Sequence, residues 1–411
     1  MIRVKSGDFV RYHYIGMFPD GKKFDSSYDR SNTYNVFVGQ KQLIAGMDKA
    51  LVGMCVNERW MIKIPPQLAY GKDGYGDTIP PDSILHFDVL MLDIWNTEDK
   101  VQIKTYHKPE SCGRTVQVSD YVRYHYNGTL LDGTLFDSSH TRMRTYDTYV
   151  GIGWLIAGMD QGLLGMCVGE KRIITLPPFL GYGENGDGSD IPAQASLVFD
   201  VVLLDLHNPK DEITVEVESL PDPCPRKSEV GDFMRYHYNG SLLDGTLFDS
   251  SYSRNSTYDT YIGKGYVIAG MDQGLLGVCV GERRRIVIPP HLAYGEEGTG
   301  VPGSAVLVFD VELVDLEEGL PEGYMFVWNS DVSPNLFSEM DKNKDAQLDA
   351  TEFSDYILQQ VEEGKGRLAP GFDPQRIIEN MYDNQDRNKD GRITEDEFKL
   401  KADEAATHDE L

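Results

Sequence analysis

Polar and apolar residues alternate along Asp-Phe-Val-Arg-Tyr-His-Tyr at 8–14 and along Ile-Leu-His-Phe-Asp-Val-Leu-Met-Leu at 84–92. A period of two predicts strands with one face in a core. Asp20-Gly21 is a hairpin-turn signal behind the first of these runs. Apolar residues recur at helical spacing across Leu43–Val52, with Gly53 behind them, which predicts one short helix. An antiparallel sheet wrapped around one helix is an α+β unit.

The same pattern occurs three times. Arg-Tyr-His-Tyr at Arg11–Tyr14 returns at Arg123–Tyr126 and Arg235–Tyr238, 112 residues apart. Phe24-Asp25-Ser-Ser, Ala45-Gly-Met-Asp48 and Tyr70-Gly71 return at matching places, and so does the Asp-Gly turn, at Asp132-Gly133 and Asp244-Gly245. Solenoid repeats are far shorter, so this period is that of whole domains. The expected order is three tandem domains at 1–97, 98–209 and 210–318. Beyond Leu316 the linker Glu-Glu-Gly-Leu-Pro-Glu-Gly leads into a polar, acidic stretch expected to form an all-α domain at 319–402, with a tail at 403–411.

The 411 residues are 40% hydrophobic, enough for packed cores, and no run of 18 apolar residues predicts membrane insertion. Net charge is −27, and from Glu317 onward 24 acidic residues face 10 basic ones. This balance argues against nucleic acid as the main partner. The opening residues Met1–Phe9 contain no apolar signal-peptide segment.

His13-Tyr14-x-Gly16, Gly21-Lys-Lys-Phe24-Asp25-Ser-Ser, Pro65-Pro66 with Ala69-Tyr70-Gly71, Ile79-Pro80 and Leu85-His-Phe87-Asp-Val form a long ordered set that is repeated in kind. On these motifs each repeat resembles an FK506-binding-type peptidyl-prolyl cis-trans isomerase domain along its whole length. The resemblance implies one pocket per repeat, between sheet and helix. It implies Tyr14, Phe24, Asp25, Arg30, Tyr34, Leu43, Ile44, Tyr70, Ile79 and Phe87 around the first pocket. Around the second it implies Tyr126, Phe136, Asp137, Arg142, Tyr146, Leu155, Ile156, Tyr182, Ile191 and Phe199. Around the third stand Tyr238, Phe248, Asp249, Arg254, Tyr258, Val267, Ile268, Tyr294, Val301 and Phe309.

Rotation about an X–Pro bond faces a barrier of about 18–20 kcal/mol from amide resonance, and needs no nucleophile, metal or cofactor. An apolar aromatic pocket that strips water from the amide favours the twisted form, which has lost its resonance. Phe24, Tyr34 and Phe87 are expected as walls, and Tyr14 and Tyr70 as hydroxyl donors to the substrate. Asp25 would either orient those groups or meet the polarised carbonyl. Met47, Met159 and Met271 occupy the floor, where the family's archetype has Trp. Methionine is smaller and flexible, which implies weaker turnover and only weak binding of FK506-type macrolides. The third repeat also shortens the loop after Tyr294, with Pro302 eight residues along against ten in the others.

Two twelve-residue stretches have EF-hand spacing. Asp341, Asn343, Asp345, Gln347, Asp349 and Glu352 form the first, and Asp386, Asn388, Asp390, Arg392, Thr394 and Glu397 the second. Calcium takes about seven oxygens from such positions, the residue at position 7 supplying its backbone carbonyl and position 9 commonly a water. Leu348 and Ile393 would lie where paired loops meet. Ala346 replaces the usual Gly, which makes a positive φ costlier by about 1 kcal/mol and predicts a weaker first site.

Cys112 and Cys224 each stand 55 residues before Cys167 and Cys279, so disulfides Cys112–Cys167 and Cys224–Cys279 are expected, each contributing about 4 kcal/mol in the chain-entropy model. Cys55 is left over, and its partner position falls one residue before Met1; an upstream repeat in a longer secretory protein is expected. Asn127, Asn239 and Asn255 open glycosylation sequons, the first two directly after a pocket tyrosine, where a glycan would rim the pocket. His408-Asp-Glu-Leu411 is an endoplasmic-reticulum retrieval address, which implies a lumenal location and a retrieval receptor as partner. Three readings stay open: an isomerase for proline-containing secretory clients, a weakly catalytic chaperone or scaffold for the same clients, and a calcium buffer.

Overall fold

The computed structural model describes residues 2–398. The chain divides into two compact units, one ending at Asp211 and the other beginning at Glu212.

In the first repeat β1 (Phe9–Met17) forms a hairpin with β2 (Lys23–Ser26), and its other end pairs with β3 (Tyr34–Phe37). The turn is the one the Asp-Gly pair predicts: Gly21 takes φ +86° and its amide donates to Phe18 O at 2.9 Å. Helix α1 (Ala45–Ala50) precedes β4 (Arg59–Ile64) and β5 (Leu85–Trp95), giving the order β2-β1-β5-β4. The helix is shorter than expected. Leu43 and Ile44 lie outside it, and Ile44, in extended conformation, caps it with its carbonyl. Gly46 sets how closely the helix approaches the sheet, since a Cβ there would lie 2.4 Å from Ile64 Cγ2.

The second repeat contains β6 (Gln102–His107), β7 (Tyr121–Leu130), β8 (Leu135–Ser138), β9 (Tyr146–Tyr149), α2 (Ala157–Gly162), β10 (Lys171–Leu176) and β11 (Leu197–His207). The third contains β12 (Thr214–Ser219), β13 (Phe233–Leu242), β14 (Leu247–Ser250), β15 (Tyr258–Tyr261), α3 (Ala269–Gly274), β16 (Arg283–Ile288) and β17 (Leu307–Glu317). Edge strands β6 and β12 extend these two sheets to six strands. Each repeat has its own core, with Tyr12, Leu51 and Leu85, then Tyr124, Leu163 and Leu197, then Tyr236, Leu275 and Leu307 at its centre.

Both expected disulfides are present, Cys112–Cys167 and Cys224–Cys279, with Cα atoms 5.7 and 5.8 Å apart, and Cys55 is buried and free.

The segment after the linker is not all-α. Strand β18 (Phe326–Trp328) pairs with β20 (Gly366–Leu368), and β19 (Gln347–Leu348) pairs with β21 (Ile393–Thr394), around α4 (Leu336–Met340), α5 (Ala350–Glu362) and α6 (Pro374–Gln385). The short ladders satisfy backbone groups of loops that would otherwise be buried unpaired. Leu348 faces Ile393 across β19 and β21. Helix α5 starts at a capping box, Asp349 accepting from Thr351 N and Glu352 N while Glu352 reaches back to Asp349 N. The end of the expected 319–402 domain, the 403–411 tail and His408–Leu411 lie outside the described residues. Among those described, no helix is long and apolar enough to cross a membrane.

Candidate active sites

Each pocket is built on one hairpin. The Tyr14 ring points inward from β1, and its hydroxyl donates to the Asp25 carboxylate, eleven residues later on β2. Arg30, just past β2, pairs with Asp25 and donates to the Tyr14 oxygen at 2.9 Å. Ser26 N closes on Asp25 Oδ1 at 2.8 Å. The same triad forms with Tyr126, Asp137 and Arg142 (Nη2 to phenol 3.1 Å) and with Tyr238, Asp249 and Arg254 (2.8 Å).

Burial first, then the bond to the carboxylate, raises the tyrosine pKa to about 12 in all three repeats, so the phenol keeps its proton. Burial opposes ionisation of Asp25, but hydrogen bonds from Tyr14 and Arg30 outweigh it and hold its pKa below the ordinary value. Asp249 is held low in the same way by Arg254 and Tyr238.

Aromatic rings wall the site. Phe24 meets Phe87 edge-on at 5.7 Å, and Tyr14 lies 5.9 Å from both Phe87 and Tyr34. Phe136 and Phe199 cross at 5.7 Å, as do Phe248 and Phe309. Tyr146 and Tyr258 stand 6.1 and 6.2 Å from Tyr126 and Tyr238. Met47, Met159 and Met271 are each 3% exposed, on the first turn of their helices, and form part of their repeat's core. Leu43 and Ile44, Leu155 and Ile156, and Val267 and Ile268 pack half-buried against the same clusters. The structure brings Tyr14, Phe24, Asp25, Arg30, Tyr34 and Phe87 and their counterparts in the other repeats together, with Leu43, Ile44, Met47 and Ile79 and their counterparts in the core beside them.

Two expectations change. The Tyr14 proton is committed to Asp25, so this phenol does not serve as a free donor. Tyr70, Tyr182 and Tyr294 lie at the mouth, half-buried to exposed; burial raises the pKa of Tyr70, and Tyr75, Tyr34 and Asp25 add to it. Second, Asn127 and Asn239 do not rim the pockets. On a strand, the residue after an inward tyrosine faces the opposite side, and each side-chain oxygen accepts from a serine of the paired strand (Ser138 or Ser250, 2.6 Å). Asn255 is exposed in a turn at φ 49°.

Sequence reasoning assigned no role to Ser27, Ser139 and Ser251. Each is fully buried, accepts from the pocket tyrosine's own amide at 2.8 Å, and bonds the preceding histidine's Nδ1 at 2.9 Å. Asp48, Asp160 and Asp272 were also missed: each ties the loop before its helix by accepting from two backbone amides. Both positions recur at the repeat period, which was the available signal.

The family pattern for FKBP-type peptidyl-prolyl cis-trans isomerases matches residues 2–92, 112–204 and 224–314, one match per repeat. The chain belongs to this family. Human peptidyl-prolyl cis-trans isomerase FKBP9 is 57% identical over 521 aligned positions, covering 99% of this chain and 91% of the relative. Human FKBP10 is 50% identical over 524 positions, covering 99% and 90%. A crystal structure of the three FKBP domains of wheat FKBP73 is 25% identical, covering 53% of this chain and 94% of that one at a TM-score of 0.28. This FKBP-type chain is a peptidyl-prolyl cis-trans isomerase with three tandem isomerase domains.

In the acidic segment the oxygen-bearing side chains are gathered onto their own loops. Asp341 accepts from Lys344 N, Asp345 N and Ala346 N at 2.7–3.2 Å, and Glu352 reaches back to Lys342 N and Asn343 N. Asp386 accepts from Asp390 N and Gly391 N, and Glu397 from Asn388 N and Thr394 N. Ala346 takes φ +66°, where Gly391 has +79°. Among the described residues, no three His, Cys, Asp or Glu side chains converge as a metal cluster.

Proposed function

We propose that all three pockets isomerise X–Pro bonds of secretory-pathway clients, and that the acidic segment is an EF-hand pair binding calcium. The recurrence of one Tyr–Asp–Arg triad behind crossed phenylalanines supports the first part. The triad is internally satisfied, so it presents a fixed wall. The phenylalanines hold the proline ring dry, and Tyr70, Tyr182 or Tyr294 donates to the substrate carbonyl as resonance is lost.

The calcium reading is supported by the donor chemistry: hard oxygens of Asp341, Asn343, Asp345 and Glu352, and of Asp386, Asn388, Asp390 and Glu397, with the backbone carbonyls of Gln347 and Arg392. Asp349 and Thr394 stand at the position that commonly holds a water. Calcium would displace the loop's own N–H partners from these carboxylates. The terminal His-Asp-Glu-Leu and two disulfides support an oxidising lumenal compartment. Exposed Asn255 is the sequon best placed for a glycan.

The buried methionine floors favour a second reading, a chaperone or scaffold with slow turnover. In the full chain, Phe24→Ala/Asp25→Ala and the matching pairs at 136/137 and 248/249 are expected to lower turnover of short X–Pro peptides stepwise, the combined variant to near the uncatalysed rate. Full turnover in the combined variant would overturn the pocket assignment. Turnover too slow to matter in the unmodified chain, with unfolded proline-rich chains still bound, would leave the scaffold.

A further inference from the structure

We infer that Trp95 and Asp93 of the first isomerase domain are positioning residues for the second domain's pocket, because they hold the loop at its mouth. The inference rests on the pocket assignment proposed above.

The loop leaves β10 through Phe179, begins after Tyr182 and is closed by Gln194 N donating to Gly183 O at 2.9 Å. Inside it, Ile191 is 4% exposed and packs into the second domain's core, its amide held by Asp187 Oδ1 at 2.8 Å. Both ends meet the first domain. Trp95 Nε1 donates to Gln194 O at 3.1 Å, and Ser196 N donates to Asp93 Oδ2 at 2.8 Å. At the other end, Phe179 lies edge-on to the Trp95 ring at 6.2 Å. Trp95 is itself fixed, stacked on Phe9 at 4.7 Å and edge-on to Phe37 at 5.9 Å.

This anchoring is not a property of the repeat. The first domain's own loop closes with the same bond, Asp82 N to Gly71 O at 2.8 Å, yet Ile84, which matches Ser196, is 45% exposed. The positions matching Trp95 in the other repeats are His207 and Glu317, neither an indole. A loop ordered before substrate arrives loses less entropy on binding, so the effect belongs in KM rather than kcat.

The test uses the full chain with the first and third pockets disabled by Phe24→Ala and Phe248→Ala. Trp95→Phe keeps an aromatic ring against Phe9 and Phe179 but removes the pyrrole half of the indole with its N–H. One hydrogen bond of about 1 kcal/mol corresponds to about a fivefold change. Amide exchange over 184–194 is expected to accelerate about that much, KM for an X–Pro peptide to rise several-fold with kcat unchanged, and exchange over 72–82 to stay constant. Asp93→Asn still offers Ser196 a carbonyl oxygen but leaves the buried Arg11 without its counter-charge, so it is expected to lower global stability while native-state exchange over 184–194 and KM stay near those of the unmodified chain. Unchanged exchange and KM in Trp95→Phe would overturn the inference. If that variant does not fold, the unmodified chain decides: exchange over 184–194 no slower than over 72–82 is equally fatal. Phe136→Ala in the same background separates the two proposals, since undiminished turnover there would sink the pocket assignment while leaving the exchange result standing.

Discussion

In the first repeat Arg11 and Asp93 lie 3.7 Å apart at 2% and 0% exposure, and Arg11 Nε and Nη1 have no hydrogen-bond partner. The matching Arg235 and Asp315 of the third repeat are 33% and 50% exposed and 2.5 Å apart, with Glu317 also on Arg235 at 2.6 Å. The pockets of the same two repeats agree within a few tenths of an ångström in every ring contact they share. The pocket is made within one hairpin and its sheet, so each copy carries its environment along. The Arg–Asp pair sits at the end of the sheet, and its environment is whatever the chain packs there. In the first repeat that is the Ser196 amide and the foot of the neighbouring loop; burial there raises the pKa of Asp93, while Arg11 and the hydrogen bond from Ser196 N pull it down.

The largest expected contrast is at these arginines. Arg11→Met leaves Asp93 buried without its partner and should lower the first unit's stability by about 3 kcal/mol. Arg235→Met removes an exposed pair and should cost under about 1 kcal/mol. Equal losses in denaturant titration would break the comparison. Ser27→Ala and Ser251→Ala sharpen it from the other side. Each strands a buried tyrosine amide, at about 1–2 kcal/mol, and the two values should agree because the surroundings are local; a difference beyond about 0.5 kcal/mol would show that the pockets also feel their neighbours. The smallest effect belongs to the acidic segment, where Ala346→Gly relieves a positive φ worth about 1 kcal/mol. If the proposed calcium sites hold, titration should then show the first loop tightened about fivefold and the second unchanged; no change would mean that this φ strain does not set the affinity of the first loop.

Much of the site was legible beforehand because its parts are close in sequence. Tyr14, Asp25 and Arg30 fall within one hairpin, and repetition separated them from ordinary core aromatics. The cysteine pairs, 55 residues apart, were legible from the repetition alone. Asn127 was misread although alternation alone assigns it to the outer face. Strand β12 has an alternating Thr-Val-Glu-Val-Glu-Ser sequence, yet all six residues are exposed, and an edge strand buries too little to stand out from a linker.

The amino-acid order by itself determined the three domains, the turn chemistry and the disulfide pairing, since each depends on contacts that recur with the repeat. Tertiary structure alone decided where the Tyr14 proton goes, how short each helix is, and that Trp95 and Asp93 reach the loop of the next domain. Those outcomes depend on which groups lose water together, and contacts between residues about a hundred positions apart leave no periodic trace.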